Sequence, residues 1–170
     1  MEKRLGPYVR AVVVSLTLCV MAISACHAEN PHPIQWTLTA RTAELPLRKG
    51  SVVQTILHAK IMPGWHLYAM EQQSGGPTAT RISLSSDQAF GLNGAVESET
   101  PPIVMNDPNF NLETRYFEGD ASFHIPVKAI SAVSAAMAKL TVDVFFQTCN
   151  DRLCLPATVV HVSTQVQRSH

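Results

Sequence analysis

Apolar and polar residues alternate with a period of two over residues 140–148. Leu140, Val142, Val144 and Phe146 fall on one side, Thr141, Asp143, Phe145 and Gln147 on the other. Successive side chains of a strand point to opposite faces, so the pattern predicts a strand with Phe145 and Phe146 on different faces. Residues 34–40 and 51–61 are rich in β-branched residues and are separated by breakers around Pro46 and Lys49-Gly50. Pro63-Gly64 predicts a turn into a short strand over 65–69, followed by a loop over 72–77 and renewed alternation over 80–85. Residues 121–129 form another strand pattern, in which Pro126 argues for a sheet edge or a bulge. Residues 157–166 read as a last strand able to pair back antiparallel. Residues 91–111, with Pro101, Pro102 and Pro108, read as a surface excursion with short strands at most. Residues 131–139 fit a loop or one helical turn, and 167–170 a frayed end. About seven short strands without a long helical pattern predict an all-β, antiparallel β-sandwich.

The N-terminus changes the picture by setting a compartment. Lys3, Arg4 and Arg10 precede an uncharged apolar run of about fifteen residues, 11–25. That is the pattern of a secretory signal peptide, and it falls short of the roughly 20 residues a membrane span needs. A retained N-terminal anchor is the plainer alternative. Two processing forms are open. Cleavage after Ala28 gives a signal peptide over 1–28 and a mature domain over 29–170. Ile23-Ser24-Ala25-Cys26 equally fits a lipobox, which would leave a lipid anchor on Cys26. Either form predicts an exported, periplasmic protein, soluble or held as a lipoprotein. The leader takes Lys3, Arg4 and Arg10 of thirteen basic residues and Glu2 of thirteen acidic ones, leaving ten against twelve. A formal charge near −2 without a basic patch gives no reason to expect nucleic acid as a partner.

Export also sharpens the cysteine count. Of Cys19, Cys26, Cys149 and Cys154, the first leaves with the leader and the second is removed or lipidated. Cys149 and Cys154 remain, in a compartment where disulfides persist. Three uses are open. A structural bridge is common in exported proteins, but across so short a loop it restrains the unfolded chain by only about 2 kcal/mol. The mature domain of about 142 residues builds a core without it. A redox pair needs one accessible, partly ionised thiol and a second to resolve the mixed disulfide. Between the two, Arg152 would favour a thiolate and Asp151 oppose it, unless both are simply solvated turn residues. Structural zinc wants four ligands, and His66, His124 and His161 stand at no recognisable spacing from the pair. No metal and no cofactor is therefore expected.

The stretch FFQTCNDRLCLP, residues 145–156, resembles the YQxCxxxxCxxP signature of the N-terminal periplasmic domain of the disulfide-interchange reductase DsbD. The resemblance extends to Gly64-Trp65-His66-Leu67-Tyr68, matching a GWHxY stretch, and to Gly75-Gly76-Pro77-Thr78 and Tyr116-Phe117-Glu118-Gly119. It covers residues 34–162. It implies an immunoglobulin-like sandwich that ferries reducing equivalents, with Cys149 and Cys154 as a reversible disulfide and Cys154 bonding to partners. The implied partners are a membrane-embedded electron donor and thioredoxin-like periplasmic proteins, including those of cytochrome c biogenesis. It further implies a cap loop, here at residues 107–111, with Phe110 as its aromatic residue. Trp65, His66 and Tyr68 are then candidates to line the site, although aromatic residues on a short strand more often belong to the core. Two departures stand against it. Some family members have five residues between the cysteines, and the reductase continues into membrane and thioredoxin-like domains after the sandwich.

The expectation is an exported thiol-disulfide exchange domain with protein-disulfide reductase activity. The alternative is a non-catalytic, envelope protein-binding sandwich whose disulfide is a staple.

Overall fold

Along the longest strands every second residue is buried (Trp36 in part) and, apart from Thr42 and Thr55, apolar, and that face closes a two-layered β-structure. The computed structural model describes residues 32–169, so the leader and its processing at Cys26 or Ala28 lie outside the described residues. The strands are β1 (Ile34–Thr42), β2 (Val52–Ile61), β3 (His66–Tyr68), β4 (Arg81–Leu84), β5 (Phe90–Leu92), β6 (Glu97–Ser98) and β7 (Ile103–Asp107). They continue with β8 (Leu112–Phe117), β9 (Asp120–Ala129), β10 (Lys139–Phe146), β11 (Thr148–Cys149), β12 (Thr158–Gln165) and β13 (Gln167–Arg168). One 3₁₀ turn, Ala135–Met137, occupies the segment where a loop or helical turn is expected.

The largest sheet runs β13-β1-β2-β9-β5, with β6 also on β9. A second sheet runs β12-β10-β4 and a third β11-β3-β8-β7. Except for the parallel β1–β13 contact, the strand pairs are antiparallel. The fold is an immunoglobulin-like β-sandwich. Alternation resolves as expected: Leu140, Val142, Val144 and Phe146 of β10 are buried against Phe123, Ile125 and Val127 of β9 and Val53 and Leu57 of β2 in one core. Phe145 faces outward, under the Arg81 guanidinium. Trp36 closes the core between Phe123 and Phe146, at 6.3 and 5.3 Å between ring centroids.

Three expectations are corrected. Pro126 sits on an interior strand, because β9 pairs β2 along its length and β5 and β6 on its other side. The proline falls between the segments paired to β5 and β6, and its carbonyl accepts from Asn93 N–H. A residue's N–H and C=O point to the same side of an antiparallel strand, so the missing donor faces the point where the partner changes. The tail is not frayed through residues 167–169. Gln167 and Arg168 pair with Arg41 and Thr42, and Ser169 N–H donates to the Thr42 carbonyl. Residues 91–111 hold more than an excursion, since β7 and β8 form a five-pair hairpin, Ile103–Asp107 against Leu112–Tyr116.

Phe123 is fully buried between Trp36 and Phe117. Phe123→Ala is expected to cost about 3–5 kcal/mol in urea unfolding. Val159→Thr, at an exposed site on β12, should stay within about 0.5 kcal/mol.

Candidate functional site

The cysteines are placed by a break in the best strand. After Phe146 the chain leaves the β10 sheet, and Thr148–Cys149 pair instead with Leu67–His66 of β3. Gln147 bridges the crossing: its side-chain carbonyl accepts from Thr78 N–H at 2.8 Å and its amide reaches the Leu155 carbonyl at 3.5 Å. Thr148 Oγ1 donates to the His66 carbonyl at 2.8 Å. Cys149 then enters a turn that Asn150 holds, its Oδ1 accepting from Arg152 N–H and Leu153 N–H at 2.9 and 2.8 Å. Asparagine is suited to this because its side chain satisfies backbone donors two and three residues on. Asn150 N–H donates to the Leu153 carbonyl, and Leu155 N–H to that of Thr148. Cys149 and Cys154 face each other as a bridge and are joined, S–S 2.09 Å. They differ in exposure: Cys149 is fully buried and Cys154 half-buried.

A small cluster separate from the main core surrounds the pair. Tyr68, Tyr116 and Cys149 are its buried members, with Phe110 and Cys154 packed against them. Phe110 comes from the turn of the β7–β8 hairpin and meets Tyr68 edge-on, centroids 5.9 Å apart. Asp107 organises that turn. Its main-chain carbonyl accepts from Phe110 N–H and Asn111 N–H, and its Oδ1 from Asn109 N–H at 2.8 Å. Its Oδ2 accepts from the Tyr68 hydroxyl at 2.7 Å, tying the hairpin to β3 across 39 residues of sequence. Asn111 takes a left-handed conformation, φ 51°, which asparagine tolerates better than most residues. Burial, reinforced by the bond to Asp107, pushes the Tyr68 phenol far above its ordinary range. The Tyr116 phenol is raised first by burial and then by the charges of Glu118, Asp107 and Asp151.

On the other flank, His66 stacks on Tyr116 with centroids 4.3 Å apart, and its Nε2 lies 2.9 Å from Glu118 Oε1. Gly64, φ 77°, and Gly119, φ 68°, make the positive-φ turns that lead into β3 and out of β8, setting these two side chains.

Of the expected residues, Cys149, Cys154, Phe110 and Tyr68 come together, and His66 adjoins them through Tyr116. Trp65 does not, since it packs against the main core. Asp151 and Arg152 are exposed on the turn, and neither is in an ion pair among the described residues. His124 lies on β9 and His161 on β12, where it pairs with Asp143. Asp107, Tyr116 and Glu118 were not singled out by the residue pattern. Tyr116 and Glu118 stand within the motif at 116–119, and Asp107 opens the cap segment, so each carried a weak signal.

Removing the Tyr68 hydroxyl leaves the buried Asp107 carboxylate short of a donor, a loss of about 1–3 kcal/mol. Tyr68→Phe should therefore speed amide exchange at Asn109 and Phe110 by about tenfold or more while exchange in β9 and β10 stays slow. Hydrogen-exchange mass spectrometry on the hairpin peptides reads this directly.

Residues 36–165 match the family model described as the N-terminal part of thiol:disulfide interchange protein DsbD. No curated protein sequence matches. Among solved structures, the N-terminal periplasmic domain of ScsB from Proteus mirabilis is similar with a TM-score of 0.58 at 18% identity, over 81% of this chain and 48% of that one. The chain thus spans about half the length of that solved domain. The DsbD N-terminal domain from Neisseria meningitidis, in its reduced form, aligns over 76% of this chain and 84% of that one, at 11% identity and a TM-score of 0.47. With the family model matching well over half of its length, the chain belongs to the DsbD N-terminal domain family.

Proposed function

We propose that this protein is a periplasmic thiol-disulfide exchange domain that passes reducing equivalents to envelope proteins through Cys149 and Cys154. The observation that carries the reading is the unequal exposure of a joined pair beneath a latched hairpin. Cys154 reaches the surface while Cys149 is fully enclosed, which suits one sulfur to meet a partner and the other to resolve the intermediate. Family membership supports the same chemistry.

In this reading a donor thiolate attacks Cys154 Sγ, the S–S bond breaks, and its electron pair leaves on Cys149. A second donor thiol releases the mixed disulfide, so the donor is oxidised and the domain holds two thiols. In the forward direction Cys154 attacks an acceptor disulfide, and Cys149 then attacks Cys154 to free the reduced acceptor. Thioredoxin-like periplasmic proteins are the acceptors and a membrane-embedded dithiol protein the donor. Among the described residues no helix is long and apolar enough to cross a membrane. Export rests on the leader, with a lipid anchor at Cys26 as its second form. Phe110, with Tyr68 beneath it, shields the bridge until a partner displaces the hairpin.

Equilibration with thioredoxin or glutathione couples should place the pair between about −300 and −120 mV, the range spanned by exchanging thiols. A value well below about −300 mV would mark a staple in a binding module instead. In Cys149→Ser, Cys154 should accumulate as a mixed disulfide with a periplasmic protein, visible as a reducible band on non-reducing gels. Cys154→Ser should trap none.

A further inference from the structure

Opening the bridge at Cys154 puts the leaving electron pair on Cys149, a sulfur with no exposed surface. An anion there is poorly solvated. The two phenols clustered with it are already committed: Tyr68 donates to Asp107, and Tyr116 to Met105 Sδ. The charges that bear on the neighbouring Tyr116 are those of carboxylates, Glu118, Asp107 and Asp151. Arg152, the cation of the cysteine turn, is exposed and in no ion pair among the described residues. A proton must reach Cys149 by another route.

His66 is the candidate that the strand register offers. It is the residue directly opposite Cys149 in the β3–β11 pair, so their side chains share one face of the ribbon. Its side chain is only 15% exposed and stacks on Tyr116, itself packed against Cys149. Its Nε2 is held by Glu118, whose side chain is 49% exposed and meets water.

We propose that His66 and Glu118 form a proton port that connects buried Cys149 to solvent. This inference rests on the exchange reading above. When a partner thiolate attacks Cys154 Sγ and the S–S pair leaves on Cys149, the His66 imidazolium gives its proton to that sulfur and is reprotonated from water beside Glu118. In the reverse step, neutral His66 takes the Cys149 proton as the resulting thiolate attacks Cys154 Sγ and expels the partner thiolate. Glu118 orients the ring, holding Nε2 at 2.9 Å.

The test is reduction of the intact protein by dithiothreitol, followed by acid quench, alkylation and mass measurement from about pH 8 to pH 5.5, where imidazole takes up a proton. Rates are divided by the dithiothreitol thiolate concentration at each pH. The wild type should show a normalised rate that rises as pH falls. His66→Gln retains a partner for Glu118 but carries no proton; it should be flat and about tenfold slower at pH 5.5, a modest factor because a thiolate already leaves well. Glu118→Gln, at a half-exposed position, should lose much of the rate at pH 5.5 with little change in melting temperature. If both variants follow the wild-type profile while exchange stays fast, the port is overturned and the exchange reading stands. If the wild-type pair resists dithiothreitol at every pH without denaturant, both fall together.

Discussion

Two residues of strand pairing, Thr148–Cys149 against Leu67–His66, carry everything else at the site. Were β10 to run straight on in its own sheet, Cys149 would follow the alternation out along the β12–β10–β4 layer, away from Tyr68 and Tyr116. The break at Gln147 instead hands the strand to the third sheet. A crossing between layers exposes backbone polar groups that neither ladder satisfies. Here Gln147 takes up the Thr78 amide and the Leu155 carbonyl, while Thr148 caps the His66 carbonyl. The cysteine turn is thus fastened at both ends before the disulfide is counted.

That ordering bears on what the disulfide is for. A bridge across five positions of sequence restrains the unfolded chain weakly, by about 2 kcal/mol. The same turn already has the Asn150 side-chain bonds and two backbone bonds, to Leu153 and Thr148. As a staple the bridge would duplicate restraints that are present without it. As a redox pair it benefits from them, because a turn that keeps its shape when the S–S bond opens holds the second sulfur close for the return step.

The sandwich was legible because its strands have one wet and one dry face, and β9 and β10 bury every second residue. Pro126 misled because a proline can sit inside a sheet where the neighbouring strand changes, a property of the neighbours and not of its own segment. Strand β7 left no periodic trace, since Ile103, Val104 and Met105 are all exposed. Alternation requires one buried face, and this edge strand has none along those residues. The tail was hidden for the same reason: Gln167 and Arg168 are exposed and polar, and only backbone pairing with β1 fixes them. At the site, the cysteines and the aromatic residues could be proposed from local motifs. Asp107 could not, because its role is set by a bond to a tyrosine 39 residues away.

Asp107 also explains how a loop rich in turn formers becomes a closed cap. A carboxylate this buried requires several donors, and it has the Tyr68 hydroxyl and the Asn109 amide on its side chain. Both are available only while the hairpin lies over β3 with its turn wound as it is. Lifting the hairpin breaks the Tyr68 bond but brings water to Asp107, so the cost is a modest net hydrogen bond and not a stranded charge. On the exchange reading, a partner surface that covers Phe110 and approaches Cys154 would need to supply only that much to lift the hairpin.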